Sequence, residues 1–151
     1  MNRFARWALP ALLLLAFALD LKRSGDIVRA QRLLRSVEGR TVAMLQSGNM
    51  QRALLLAHVE ALQDAMRLDP ADVAIRVALA SEYLLLGDLE KARVAYEEAL
   101  AFEPRPEIVL NLGKVAQAAG DEELARTHFA HAVKLDPLLR SQVPKEYREP
   151  Q

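Results

Sequence analysis

The sequence predicts an all-α protein, a stack of antiparallel helix hairpins (an α-solenoid) preceded by an apolar amino-terminal helix. Three observations carry this. Residues 71–137 repeat themselves at a fixed spacing, Gly or Asp/Glu-Pro pairs punctuate the helical runs, and the first 23 residues are built around an unbroken apolar stretch. The composition agrees: 52% of residues are apolar but only 5% aromatic, so alanine and leucine must build the core. Length suits one domain.

The repeat is read from paired landmarks. Gly120 follows Gly87 by 33 residues, as do Ala125 after Ala92, Phe129 after Tyr96, Ala132 after Ala99 and Pro137 after Pro104. A common period of this size is the mark of stacked helical hairpins. Gly87 and Gly120 fall where a helix must end and reverse, a left-handed position that glycine takes without a Cβ penalty. Asp88 and Asp121 follow as N-caps or first-turn acids. Ala92, Ala99, Ala125 and Ala132 allow close helix approach, with Tyr96 and Phe129 as the large side chains between. Asp69-Pro70, Glu103-Pro104 and Asp136-Pro137 end the second helix of each hairpin, because the residue before proline avoids the helical region.

These landmarks resemble the tetratricopeptide repeat family. In the repeat closed by Pro104, Leu79, Ala80, Tyr83, Gly87, Ala92, Tyr96 and Ala99 match its pattern; in the next, Leu112, Gly113, Gly120, Ala125, Phe129, Ala132 and Pro137 do. Arg76 and Val109 stand where the family carries an early aromatic, which predicts weaker packing at one edge, and Ala116 replaces a tyrosine. The resemblance implies a right-handed superhelical stack and a concave face lined by the first helix of each hairpin. Carried over by position, the groove residues are Ala74, Val77, Ser81 and Leu84 from one repeat, with Glu107, Leu110, Lys114 and Gln117 from the next. An amphipathic helix or extended peptide suits such a surface. Val77 and Ser81 do not supply the lysine and asparagine pattern with which some family members clamp a free carboxylate.

In chain order, residues 1–23 read as a signal-anchor, transmembrane or signal segment. Arg3 and Arg6 precede an apolar run from Trp7 to Leu19, followed by Asp20, Lys22 and Arg23. Thirteen residues is the length of a signal-peptide core, and Ala16-Phe17-Ala18 has the form of a cleavage site. A span from Phe4 to Leu21 also works if Arg6 and Lys22 snorkel. An uncleaved anchor, a removed signal and a buried core helix all remain open. The export-like start places the repeats outside the cytoplasm, on the periplasmic side. The downstream cations Lys22, Arg23, Arg29, Arg32 and Arg35 argue for the opposite orientation. Those same cations form a membrane-proximal basic face that could rest on acidic headgroups.

Residues 24–70 read as a degenerate hairpin with longer helices, turning at Gly48-Asn49. Residues 71–104 and 105–137 are the two regular repeats. Residues 138–151 are a cap and tail, in which Leu138, Leu139 and Val143 cover the last hairpin and Lys145–Gln151 forms a polar tail.

The chemistry is non-catalytic by this reading. Absence of cysteine excludes a disulfide framework, a thiolate zinc site, a cysteine nucleophile and a lipoprotein anchor. Formal charge is zero, so no global field draws in nucleic acid. His128 and His131 lie one helical turn apart without an evident third ligand. His58, within an apolar helix, reads as a hydrogen-bonded packing residue. No nucleophile elbow or phosphate loop occurs. The expected partners are therefore proteins, with no cofactor, metal, nucleic acid or small-molecule substrate. Two functions fit: a membrane-tethered interaction scaffold or assembly factor for an envelope complex, or a structural accessory subunit whose apolar helix packs within a membrane complex beneath a cap of repeats.

Overall fold

A computed structural model describes residues 5–148, with side chains from Leu13 onward. It contains six α-helices: α1 (Ala5–Ser47), α2 (Arg52–Leu68), α3 (Val73–Leu86), α4 (Leu89–Phe102), α5 (Pro106–Ala119) and α6 (Glu122–Leu135). Two 3-10 helices follow, Pro137–Gln142 and Lys145–Tyr147. No strand occurs among the described residues. Each helix packs on the one before it, which makes an all-helical solenoid of three hairpins.

The turns follow the sequence chemistry. Gly87 and Gly120 have φ of 78° and 79°. At the first, the Asp88 amide donates to the Tyr83 carbonyl at 2.9 Å, and at the second the Asp121 amide donates to the Ala116 carbonyl at 3.0 Å. These bonds satisfy carbonyls that the helix end leaves open. Asp121 caps α6 through the Leu124 amide at 3.0 Å. Asp88 does not cap α4; its carboxylate takes Lys91 Nζ at 2.6 Å instead. Asp72, at the mouth of α3, accepts from the Ala74 amide at 2.8 Å.

Burial resolves into three layers, one per hairpin. The first joins Ala30, Leu34 and Val37 of α1 to Leu62 and Ala65 of α2 and Ile75 of α3. The second holds Ala92, Tyr96 and Ala99 against Ala80 and Ile108. The third holds Ala125, Phe129 and Ala132 against Val109 and Ala116, closed by Leu139 and Val143. The alanines predicted to sit at close helix contacts are fully buried.

The sequence reading needs correction in four places. First, no boundary separates an amino-terminal helix from the first hairpin. α1 runs 43 residues without a break, through Gly25 and Gly39. A helical glycine costs about 1 kcal/mol against alanine, and the burial of Ala30, Leu34, Val37 and Met44 along one stripe outweighs that. The described part of the apolar run, Leu13 to Leu21, projects beyond the solenoid with its large side chains 57–69% exposed. The rest of the segment 1–23, with Arg3, Arg6 and Trp7, lies outside the described residues or side chains. Among the described residues no helix is long and apolar enough to cross a membrane.

Second, Arg76 does not leave a loose edge. Its guanidinium stacks 4.3 Å from the Phe102 ring centroid and donates to the Pro70 carbonyl at 2.7 Å. Val109, the other departure, is buried in the third layer. Third, Leu138 points to solvent, so the cap is built by Leu139 and Val143. Fourth, the expected polar tail begins with an ordered 3-10 turn that sets Tyr147 against Phe129, ring centroids 5.1 Å apart. Glu149, Pro150 and Gln151 lie outside the described residues.

Candidate functional site: the inner groove

The first helices of the three hairpins, α1, α3 and α5, border a groove of about 810 Å³. Alternation explains its composition. A helix that buries one stripe in the solenoid leaves another free, and three such stripes face one another here. From α1 come Val37, Glu38, Thr41, Val42 and Leu45; from α3 come Ala74, Val77, Ser81, Leu84 and Leu85; from α5 come Glu107, Asn111 and Lys114. Arg105 stands at one end, just before α5.

Six of the eight groove positions carried over from the family pattern line this cavity: Ala74, Val77, Ser81, Leu84, Glu107 and Lys114. The other two do not. Leu110 is 1% exposed and belongs to the third core layer. Gln117 lies past the groove, its amide donating to Glu146 of the cap at 3.2 Å. Ser81 lines the wall, but its hydroxyl is engaged with the Val77 carbonyl at 2.9 Å and the Tyr96 hydroxyl at 2.7 Å.

The α1 wall was missed from sequence because the hairpin 24–70 lacks the family landmarks that would register its positions. The signal that could have found it is the pair Val42 and Leu45, apolar residues off the buried stripe of α1. They are 50% and 56% exposed.

Polarity is graded across the groove. The α1–α3 side is mainly aliphatic, through Val42, Leu45, Val77 and Leu84. On the α5 side Lys114 donates to Asn111 Oδ1 at 3.0 Å and meets no carboxylate within ion-pair distance among the described residues. Partial burial lowers its pKa, since the charged form is the one that loses hydration.

Beneath the aliphatic side sits a polar cluster that sequence reasoning only half anticipated. His58 and Glu82 are 1% and 2% exposed. His58 Nδ1 lies 3.4 Å from Glu82 Oε2 and 3.2 Å from Thr41 Oγ1, and the Thr41 hydroxyl donates to Glu82 Oε1. Three helices are thereby tied together, α1 by Thr41, α2 by His58 and α3 by Glu82. His58 is the hydrogen-bonded packing residue that its apolar helix implied; Glu82 gave no sequence sign of burial. His58 Nε2 has no hydrogen-bond partner among the described residues.

His128 and His131 gather no third ligand. No group of three or more His, Asp or Glu able to share a metal occurs among the described residues. Burial, and the neighbouring His131, lower the His128 pKa. The basic residues Lys22, Arg23, Arg29, Arg32 and Arg35 are exposed along α1. Arg29 reaches toward Asp26 at 3.8 Å.

Residues 73–106 and 106–137 each match the tetratricopeptide repeat family model. Residues 73–137 are two tetratricopeptide repeats. Among solved structures, the fold is similar to the OM64 TPR domain of Arabidopsis, with 15% sequence identity over 82% of this chain and 91% of that one, TM-score 0.63. It is also similar to a thermophilic TPR protein of Thermus thermophilus, at 24% identity over 80% of this chain and 61% of that one, TM-score 0.61. No curated protein matches the chain. At these identities the solved structures speak for fold. Both cover more than residues 73–137, which places hairpin α1–α2 within the same solenoid architecture. Tetratricopeptide repeats generally bind other proteins, and the groove lies on the face formed by their first helices.

Proposed function

We propose that the protein is a non-catalytic, membrane-tethered scaffold or assembly factor that holds a partner segment in the inner groove. The observation that carries this is the groove itself: an open cavity of about 810 Å³ with an aliphatic wall and a half-buried cation opposite. The occupant that fits is an amphipathic helix or extended segment of a partner protein. Its apolar side chains lie against Val42, Leu45 and Leu84, and one acidic side chain reaches Lys114. With zero formal charge, steering at long range is weak, so affinity comes from buried apolar contact.

Tethering is read from α1. Leu13, Leu14, Leu15, Phe17, Leu19 and Leu21 are all exposed on a helix continuous with the solenoid, an arrangement costly in water and favourable in lipid. Ala16-Phe17-Ala18 lies within that helix, and a processing enzyme needs extended chain, so an uncleaved anchor is the better reading. The short basic start supports placing the repeats outside the cytoplasm. An alkaline phosphatase fused after Gln151 tests this: activity fits export, whereas inactivity alongside an active cytoplasmic reporter reverses it. Lys22 and Arg23, directly after the apolar run, are placed to meet headgroups, with Arg29, Arg32 and Arg35 further along.

The experiment for the function is detergent extraction and affinity isolation of the native protein, compared with Leu45→Asp, with the bound proteins read by mass spectrometry. A partner lost with Leu45→Asp, at unchanged helical content, is the expected result. The continuous α1 also favours a second reading, a structural subunit whose apolar helix is fixed inside a membrane complex. That subunit would remain stoichiometric with its complex through extraction even with Leu45→Asp.

A further inference from the structure

A second cleft, of about 450 Å³, lies at the carboxy-terminal end of the solenoid between α6 and the 3-10 cap. It shares no residue with the groove. Four cations stand around it: Arg126 and Lys134 on α6, Arg140 and Arg148 on the cap. Phe129, Val133 and Val143 form its apolar floor. Among the described residues none that lines it is acidic, and this sets it apart. The groove contains Glu38, Glu82 and Glu107, the cleft between α3 and α4 contains Glu90 and Glu98, and the cleft beside Arg29 and Arg32 contains Asp64. In a chain with equal numbers of acidic and basic residues, four cations without a carboxylate among them is a local excess that needs a counter-charge.

Three of the cations are oriented by groups that carry no charge, and none of the four meets a carboxylate within ion-pair distance among the described residues. Arg148 donates through Nε to the Val143 carbonyl at 2.6 Å and through Nη2 to the Ser141 carbonyl at 2.7 Å. Arg140 donates to the Arg148 carbonyl at 3.3 Å. The Arg126 guanidinium lies 5.4 Å from the Tyr147 ring centroid. Backbone carbonyls and an aromatic face orient a guanidinium but leave its net charge for a ligand. Arg126 and Lys134 are two turns apart on one face of α6, about 12 Å along the helix. That distance matches three to four residues of extended chain, at about 3.3 Å each.

We infer that this cleft binds an acidic, extended peptide segment, with carboxylates on the four cations and an aliphatic side chain between them on the apolar floor. Inorganic phosphate supplies the charge but nothing for the floor. A bilayer presents its apolar chains behind its headgroups rather than beside them. A peptide reading Glu-Ser-Leu-Ser-Glu offers both: alternate residues of an extended chain share a face, so its leucine meets the floor between glutamates about 13 Å apart, and arginine takes such carboxylates in a two-bond fork. The site is independent of the groove, so its partner segment is a second one.

The test uses the full chain in an uncharged detergent and a fluorescein-labelled pentapeptide Glu-Ser-Leu-Ser-Glu, followed by anisotropy. The expected result is saturable binding that weakens with salt and is absent for the peptide with glutamine in place of glutamate. Arg126→Gln combined with Lys134→Gln weakens it at least tenfold, while Lys134→Arg retains it and Arg29→Gln with Arg32→Gln leaves it unchanged. Circular dichroism checks that the double variant is folded; Arg140→Gln, on the exposed cap, provides the same reading if it is not. Equal affinity for the charged and the pocket-neutralised proteins overturns the assignment. So does binding of phosphatidylglycerol vesicles, lost in the double variant, without peptide binding: that outcome gives the cleft to a membrane surface.

Discussion

Gly113 of α5 and Phe129 of α6 touch so closely that a Cβ on Gly113 would lie 2.7 Å from two carbon atoms of the Phe129 ring. Phe129 is fully buried and also packs on Tyr147, so the ring cannot shift without disturbing that contact. Gly113 is therefore required by the close approach of two helices, unlike Gly87 and Gly120, where positive φ is the reason.

Gly113→Ala is expected to destabilise the protein by about 1–3 kcal/mol through overpacking, despite the better helix propensity of alanine. Urea denaturation measures it. A variant as stable as the parent, or more so, would mean that α5 and α6 are not in this register.

The buried cluster makes a second prediction. Glu82→Ala leaves Thr41 and His58 without their shared acceptor and opens a cavity, and stranding buried polar groups costs about 1–3 kcal/mol before any cavity term. Because Glu82 joins α1, α2 and α3, the loss should appear first in hydrogen exchange of α1 and α2 rather than of α5 and α6. Uniform loss of protection along the chain would argue against that localised role.

Tyr96 predicts an alkaline effect. Burial raises its pKa to about 12, the bond with Ser81 opposing this in part. An unfolded tyrosine titrates near 10. Between those values the unfolded chain has lost a proton that the folded one keeps, so stability is intact below about pH 10 and falls as pH rises toward 12, by about 2–3 kcal/mol in all. Lysines titrate over the same range, so the measurement is the difference in pH slope between the parent and Tyr96→Phe. Equal slopes would show that the Tyr96 phenol is not the group responsible.

The repeats were legible because their rules are local. A glycine at a reversal, an acid-proline stop and a small-residue stripe each depend on neighbours within a few residues, and their 33-residue spacing made them mutually confirming. The groove was legible only through its α3 and α5 walls. Its α1 wall comes from a hairpin without those landmarks, and Leu110 was misplaced because position in a repeat says which helix lines a face but not which side of the helix is buried. Glu82 and Thr41 escaped notice for a different reason: a buried acid is recognised by the partner it meets, and His58 lies 24 residues from Glu82. The division of α1 after Arg23 followed the change from apolar to charged residues there, which marks a change of surroundings rather than the end of a helix.

That continuity has its own test. The buried stripe of α1 begins at Ala30, and Leu13–Leu21 contribute nothing to the three core layers. A chain lacking residues 1–23 is expected to fold with the thermal midpoint of the parent's solenoid and to remain in solution without detergent. A large fall in that midpoint would assign the apolar run a packing role inside the fold.

The proposed scaffold role rests on a partner occupying the groove between α1, α3 and α5. Crosslinking in place tests this: a photo-crosslinking amino acid is introduced at Leu45, in the groove, and separately at Val94, which is 40% exposed on α4 away from it. The predicted result is one dominant protein adduct from Leu45, suppressed by Leu84→Asp, and none from Val94. An adduct from Val94 with none from Leu45 would put the partner on the outer surface and leave the groove without a role.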